Sequence, residues 1–318
     1  MNTVLSLYNV SKIYPGTQAL SEASFCVQKG EVHGFLGPNG AGKTTTFNLI
    51  SGYLRPSSGN IEILGKDLKS YGKELYHNIG ILPEIPPLYP HMVVRDYLNF
   101  VASIRGLNTK LRKQRLSYVL EKCGLGDVSH RLIKNLSKGY KQRVGMAQAL
   151  VHNPEFLILD EPTAGLDPIA IMEVRKLIQE LKKDHTILFS SHQLHEVEQI
   201  CSHITIIQKG RIVSSETLEK TKRIKSVGHN LKVELAHWED HYLNSLKSIL
   251  GSCEILCEQK QGSTFLNIIS DRDCRSLVSN FVITHNLGLL GLSEDTPNLE
   301  DVFGKMAQNE NGFQEQSI

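Results

Sequence analysis

Residues 37–44 read Gly-Pro-Asn-Gly-Ala-Gly-Lys-Thr, and this stretch decides the fold. The residues before it, 32–36, are few and apolar, as in a buried strand, and residues 44–50 place apolar side chains at helical spacing. In a strand, a glycine-rich turn and a helix, the backbone N–H groups and the positive helix end point at one anion. The motif therefore predicts a phosphate-binding loop on an α/β sheet.

Each position of the loop has an expected contribution. Gly37, Gly40 and Gly42 let the backbone curl, and Lys43 is expected to reach the β- and γ-phosphates of a nucleoside triphosphate. The Thr44 hydroxyl is expected on Mg²⁺. The other residues predicted to line the site are Pro38, Asn39, Ala41 and Thr45. An ordinary glycine-rich turn is the competing interpretation, but it does not explain why all fixed positions match in this context.

A second segment, Phe156-Leu157-Ile158-Leu159-Asp160-Glu161, carries two adjacent carboxylates. Its consecutive apolar residues are typical of a parallel strand buried on both faces. Such sheets bind ligands at the carboxyl ends of their strands. Asp160 is therefore a candidate to hold Mg²⁺, and Glu161 a candidate to orient or deprotonate the attacking water.

A third segment, Leu136-Ser137-Lys138-Gly139-Tyr140, opens a helical pattern just before that strand. Here the chain resembles the ATP-binding-cassette (ABC) family, whose signature at this place is Leu-Ser-Gly-Gly-Gln. Ser137 and Gly139 match that signature, whereas Lys138 and Tyr140 depart from it. The resemblance implies that Ser137 and its helix N-terminus bind the γ-phosphate held by another subunit. The alternative is that Ser137 only caps its helix.

The resemblance assigns four further residues. Tyr14 matches the aromatic residue that stacks on adenine, although a lone tyrosine is more often a packing residue. His192 matches the histidine that senses the γ-phosphate, and Asp167 matches the acid of the loop that crosses the dimer interface. Glu84 stands where most ABC ATPases have a glutamine that contacts Mg²⁺ and water. A carboxylate there can bind metal but donates no hydrogen bond.

The order of these motifs, with Leu299-Glu300-Asp301-Val302-Phe303 near the end, is similar to one bacterial branch of exporter subunits. This resemblance implies an ATP-hydrolysing, Mg²⁺-dependent subunit on the cytoplasmic side of the membrane, acting on a separately encoded transmembrane permease. The sequence holds one phosphate loop and one signature, so the chain is expected to pair with itself around two ATP.

Two other functions remain open at this point. A soluble ABC ATPase not coupled to transport is one, although such relatives usually carry two cassettes or a long coiled-coil insertion. A non-hydrolysing, nucleotide-gated adaptor is the other, suggested by Glu84, Lys138 and Tyr140.

Composition sets limits on the class of protein. The chain has 318 residues, is 40% hydrophobic and carries a net charge of +2, which suits one large and one small globular domain and gives no indication of nucleic acid as a partner. The basic clusters around Lys113 and Lys222 are read as solvated helix faces. No apolar run is long enough to span a bilayer. Six cysteines without a Cys-x-x-Cys pair favour a reduced setting and packing roles.

The predicted fold class is α/β: a P-loop NTPase core of ABC ATPase type with an antiparallel β subdomain and a helical subdomain, plus a small α+β C-terminal domain. We expect an ATP-binding domain over 1–225, with a helical insertion at about 90–152. A small accessory domain of βαββαβ order is predicted over 226–307, and a disordered tail over 308–318. Leu88 and Tyr89, in a proline-rich loop, are candidates for permease contact or for loop packing.

Overall fold

The computed structural model describes residues 3–70, 75–218, 229–239, 241–260, 263–270 and 272–294. Contacts between Cα atoms divide the chain into two compact units, Met1–Leu218 and Glu219–Ile318. The predicted boundary at 225 and the predicted disordered tail at 308–318 lie outside the described residues, so they stay predictions.

The described strands of the first unit are β1 (Thr3–Tyr14), β2 (Thr17–Gln28), β3 (Val32–Leu36), β4 (Ser58–Ile63), β5 (Lys66–Asp67), β6 (Ile79–Leu82), β7 (Phe156–Leu159), β8 (Thr186–Ser191), β9 (His203–Gln208) and β10 (Arg211–Thr217). Its helices are α1 (Lys43–Ile50), α2 (Leu75–Asn78), α3 (Val94–Ile104), α4 (Thr109–Lys122), α5 (Lys138–Leu150), α6 (Pro168–Leu181) and α7 (Leu194–Ile200). Short 3₁₀ turns cover Gly126–Val128 and Ile133–Asn135.

A six-stranded sheet forms the centre of this unit, in the order β10-β9-β3-β8-β7-β6. Strands β9, β3, β8, β7 and β6 run parallel, and β10 is an antiparallel edge. Every residue of β3, β7 and β8 is buried, as expected for strands covered on both faces. Because β3, β8 and β7 are neighbours, their carboxyl ends bring the predicted phosphate loop, His192 and Asp160 to one edge.

A second sheet, in the order β2-β1-β4-β5, is antiparallel. It packs against the strand and the helix on either side of the phosphate loop. Phe35 of β3 lies 5.3 Å from Phe25 of β2 and 5.9 Å from Phe47 of α1, measured between ring centroids. These rings belong to one buried core that holds both ends of the loop. The predicted antiparallel β subdomain is therefore present.

The helical part contains α3, α4 and α5, as predicted. In the sequence, apolar residues recur at helical spacing at Val94, Tyr97, Leu98, Val101 and Ile104, which predicts one apolar face. Helix α3 buries the first three of them. Ile104 was expected on the same face, but it is 68% exposed, and Ala102 is buried in its place. Ile104 is the last residue of the helix, and the buried part of the apolar face ends before it, at Ala102.

The second unit contains β11 (His229–Leu235), α8 (His241–Leu250), β12 (Cys253–Lys260), β13 (Ser263–Ser270), α9 (Arg275–Thr284) and β14 (Leu289–Glu294). The described elements thus follow the predicted βαββαβ order, and the strands form an antiparallel sheet in the order β12-β13-β11-β14. It has its own core, which includes Val233, Leu266 and Phe281. Cys257 was expected to pack, but its side chain is exposed.

The described residues show no helix with the length and apolarity that a membrane crossing requires.

Candidate active site

The backbone of the predicted phosphate loop has the shape that an anion cradle needs. Gly40 and Gly42 have φ of +79° and +110°, in the region that favours glycine. A Cβ on Gly42 would lie 2.7 Å from the Ala19 carbonyl oxygen, and one on Gly37 would lie 2.4 Å from that of Ile207. As the N-cap of α1, Gly42 has no side chain to cap the helix, so the first-turn N–H groups remain available to a phosphate.

Lys43 is the first residue of α1, and its side chain is only 6% exposed. Its ammonium donates hydrogen bonds to the carbonyl oxygens of Gly37, at 2.8 Å, and Pro38, at 3.2 Å. It also lies 3.2 Å from Oε1 of Glu161. The loop thus folds around its own cation, and Gly37, Pro38 and Ala41 form the back of this turn, with the Ala41 N–H donating to Pro38.

Asp160 and Glu161 follow β7, and one hydroxyl holds both. Ser190 Oγ donates to Asp160 Oδ1 at 2.6 Å and accepts the Glu161 backbone N–H at 2.8 Å. Burial raises the pKa of Asp160, and the Glu161 and Glu84 carboxylates raise it further, while the Ser190 hydrogen bond and Lys43 oppose them. Carboxylates crowded in this way gain from a cation, so these oxygens fit Mg²⁺.

Glu161 connects two segments that are distant in sequence. Its Oε2 lies 2.8 Å from Nδ1 of His192, whose side chain is 40% exposed, while its other oxygen faces Lys43. The backbone of Glu161 has φ of +46°, which is uncommon for a residue with a side chain. Lys43, Glu161 and His192, predicted from three separate motifs, therefore form one continuous polar chain.

A cavity of about 490 Å³ opens beside these three side chains. The predicted residues that line it are Asn39, Gly40, Gly42, Lys43, Thr44, Thr45, Glu84, Glu161 and His192. Its other lining residues, absent from the sequence predictions, are Thr17, Gln18, Ala19, Ala164, Lys209 and Gly210. The last two come from the β9–β10 turn, where the Gly210 N–H donates to the Ala41 carbonyl at 2.9 Å. Only the order of the strands brings that turn to the loop.

Tyr14 does not line the cavity. It ends β1, pairs with Thr17 in the adjoining hairpin and lies under the Lys12 ammonium, 5.3 Å from the ring centroid. Its hairpin partner Thr17 does line the cavity. Stacking of Tyr14 on adenine stays a prediction.

Ser137, Gly139 and Asp167 form a separate group. Ser137 caps α5 by accepting the Tyr140 N–H, and Asp167 caps α6 by accepting the Ala170 N–H at 2.9 Å. A Cβ on Gly139 would lie 3.1 Å from the Ala170 Cβ, so the two helix ends touch. None of the three is among the residues that line the cavity of their own chain.

This fold and site define a class of protein, the P-loop ATPases: a glycine-rich loop before a helix, a buried lysine in the loop and paired carboxylates at the end of a neighbouring parallel strand.

Comparison with known proteins narrows the class. Residues 20–164 match the family model described as ABC transporter. The ATP-binding protein YxlF of Bacillus subtilis (strain 168) is 34% identical over 308 residues, covering 95% of this chain and 99% of that protein. The bacitracin transport ATP-binding protein BcrA of Bacillus licheniformis is 40% identical over 225 residues, covering 70% and 72%.

Among solved structures, cbiO1 of Clostridium perfringens, part of the ABC transporter complex cbiONQ, superposes with a TM-score of 0.63 at 30% identity, covering 70% of this chain and 94% of that one. The chain belongs to the ABC transporter family: it is an ATP-binding subunit and an ATPase.

Proposed function

We propose that this chain is the nucleotide-binding subunit of an exporter, which closes as a two-fold dimer around two Mg²⁺–ATP and drives a separately encoded permease from the cytoplasmic face of the membrane. The observation that carries the proposal is that Lys43, Glu161 and His192 contact one another and line the cavity. The similarity to a bacitracin transport protein supports a role in transport.

Within the cavity, Lys43 is placed to exchange its carbonyl partners for phosphate oxygens, with which an ammonium forms charge-assisted hydrogen bonds. That exchange frees Glu161 Oε1 to accept a proton from the attacking water, while His192 holds the other oxygen. Thr44, Asp160 and Glu84 would hold Mg²⁺. When bound, the metal neutralises charge on the β- and γ-phosphates.

The Ser137 group supports the dimer. The 13-residue helix α5 has Ser137 as its N-cap, and Ser137 is not among the residues that line the cavity of the same chain. A helix N-terminus is an anion site, and a second copy related by a two-fold axis would supply the γ-phosphate to it. Gly139 lets the helix end approach α6, and Asp167 fixes the start of α6 at the same interface.

The proposed permease contact is the proline-rich loop with Leu88 and Tyr89. Tyr89 is 52% exposed and lies 5.8 Å from Phe100, which is 39% exposed on α3. Ile104 on the same helix is 68% exposed. Exposed apolar groups in one area mark a protein contact. We assign residues 226–307 an accessory role in stabilising or regulating the dimer.

Glu161→Gln tests the mechanism. The change keeps the side-chain shape but removes proton acceptance, so ATP binding should persist while phosphate release falls by at least about 100-fold. The purified variant should accumulate as an ATP-dependent dimer in light scattering. Glu155→Gln, at an exposed ion pair, is the matched control. Normal hydrolysis by Glu161→Gln would remove Glu161 from catalysis.

Tyr89→Ala tests the partner. Affinity purification from membranes should recover a hydrophobic integral protein with the wild-type chain and lose it with Tyr89→Ala, whereas Tyr8→Ala, equally exposed on β1, should retain it. If the wild-type chain and both variants recover the membrane protein, the contact lies elsewhere. Failure of the wild-type chain to bind membranes favours an ABC ATPase uncoupled from transport.

A further inference from the structure

Glu196, the third residue of α7, is a buried carboxylate outside the predicted site. It is 2% exposed and does not line the ATP cavity. Burial of a charged group is costly unless hydrogen bonds and a counter-charge compensate it. The contacts of Glu196 therefore indicate what its burial maintains.

One carboxylate oxygen joins the two loops that carry catalytic residues. Glu196 Oε2 accepts a hydrogen bond from Thr163 Oγ1 at 2.7 Å and from Ser191 Oγ at 2.9 Å. Thr163 is two residues beyond Glu161, and Ser191 immediately precedes His192. The same Ser191 hydroxyl accepts the Gln193 N–H at 2.9 Å, which fixes the backbone on the far side of His192.

The other oxygen of Glu196 faces a cation. Arg175 on α6 lies 3.5 Å from Oε1, is 16% exposed and donates to Gln199 Oε1 at 2.7 Å. Arg175 thus supplies a counter-charge for the buried carboxylate, which is a strong acceptor for both hydroxyls.

Two consecutive serines at the end of β8 form a double connection. Ser190 binds Asp160 and the Glu161 backbone, while Ser191 reaches Thr163 through Glu196. Successive strand residues point to opposite faces, so the two connections hold the loop after β7 from both sides. The same two loops are also joined by the Glu161 side chain, whose Oε2 lies 2.8 Å from His192 Nδ1.

We propose that Glu196 is a positioning residue for ATP hydrolysis: by tying Thr163 to Ser191, it holds the Glu161 carboxylate and the His192 ring in register. The inference rests on the proposed roles of Glu161 and His192. Nothing in it requires Glu196 to touch nucleotide.

The experiment measures Mg²⁺–ATP hydrolysis by the purified full-length chain. Glu196→Ala should lower kcat by about 10- to 100-fold, because small misplacements of catalytic groups are costly. KM should change by less than about threefold, since the phosphate loop is untouched. Glu196→Gln keeps an oxygen for both hydroxyls and should lose less. Thr163→Val, nearly isosteric, should lower kcat in the same direction and serves if Glu196→Ala does not fold.

A double-mutant cycle separates positioning from general destabilisation. In a His192→Ala background, Glu196→Ala should cost less than about threefold, because the register that it maintains is no longer used. Glu198→Gln, on the same helix, is the control and should hydrolyse ATP at the wild-type rate.

Additive losses in that cycle, or wild-type kcat in both Glu196→Ala and Thr163→Val, would overturn the inference. The proposed catalytic roles fail separately, if Glu161→Gln and His192→Ala themselves retain full activity.

Discussion

The carboxyl and amino ends of the central sheet each pair a glutamate with a histidine, but the two histidines, His192 and His33, differ in exposure. At the carboxyl end, Lys43, Glu161 and His192 contact one another and face a cavity of about 490 Å³. The strained backbone of Glu161 and the uncapped start of α1 are at this end too. Strain and available donors are concentrated where a ligand can relieve them.

At the amino end, Glu31 lies between two histidines, the buried His33 and the partly exposed His203. His33 is 1% exposed, with Nδ1 at 3.0 Å from Glu31 and Nε2 at 2.7 Å from the Thr205 hydroxyl. His203 lies 2.6 Å from the other Glu31 oxygen. Burial lowers the pKa of His33 despite its contact with Glu31, so the ring is neutral at physiological pH.

The two acid–histidine pairs differ in whether the histidine has a ring nitrogen available to a ligand. Both ring nitrogens of His33 are engaged inside the protein, which leaves no capacity for a ligand. His192 has one nitrogen on Glu161 and a 40% exposed side chain, so its second nitrogen is available. An acid–histidine pair thus acts as a structural tie at one end and as a candidate catalytic pair at the other.

The largest expected effect is at the carboxyl end. Lys43→Ala removes the charge-assisted hydrogen bonds to phosphate, each worth about 1.5–3 kcal/mol, so ATP affinity should fall by at least about 100-fold. Isothermal titration of the purified chain measures it. Lys29→Ala, at an exposed ion pair with Glu155, should bind ATP normally. Equal affinity in both variants would refute the assigned role of Lys43.

A contrasting result is expected for Glu31→Ala at the amino end. The change leaves His33 and the Gln28 N–H, which also donates to Glu31 at 2.7 Å, without their acceptor, at a cost of about 3 kcal/mol. Protection from hydrogen exchange should fall in β3 and β9, with ATP affinity within about twofold of wild type. Loss of ATP affinity comparable to that of Lys43→Ala would show that the two ends are not independent.

A smaller effect is expected from acid. Burial lowers the pKa of His152, whose Nε2 lies 3.0 Å from the Ile79 carbonyl oxygen, from 6.5 to about 4. Because the unfolded chain binds the proton more readily, this stability is complete above pH 6.5 and declines as pH falls towards 4, by about 2 kcal/mol at pH 5.

His33 and His185, whose pKa values are also lowered by burial, add in the same direction, whereas the raised pKa of Asp160 opposes them. Exchange protection of β6 measured at pH 7.5, 6 and 5 should therefore decline. His152→Gln should reduce that decline, and an unchanged slope would assign the acid sensitivity to other groups.

Much of the site was predictable because its motifs are local. Residues 37–44 specify their own turn and helix, and the apolar run before Asp160 specifies a buried strand. Lys209, Gly210 and Glu196 could not be found in this way. The first two reach the cavity only through the order β10-β9-β3, and Glu196 reads as one acid of an amphipathic helix until Thr163 and Ser191 surround it.

The left-handed backbone at Glu161 limits which hydrolysis-deficient variants are informative. At φ of +46°, asparagine is tolerated far better than valine or isoleucine, whose branched Cβ crowds the main chain. A saturation library at this position should therefore separate into two groups. Amide replacements would retain a well-folded nucleotide pocket, while branched replacements would lose expression before their chemistry could be assayed.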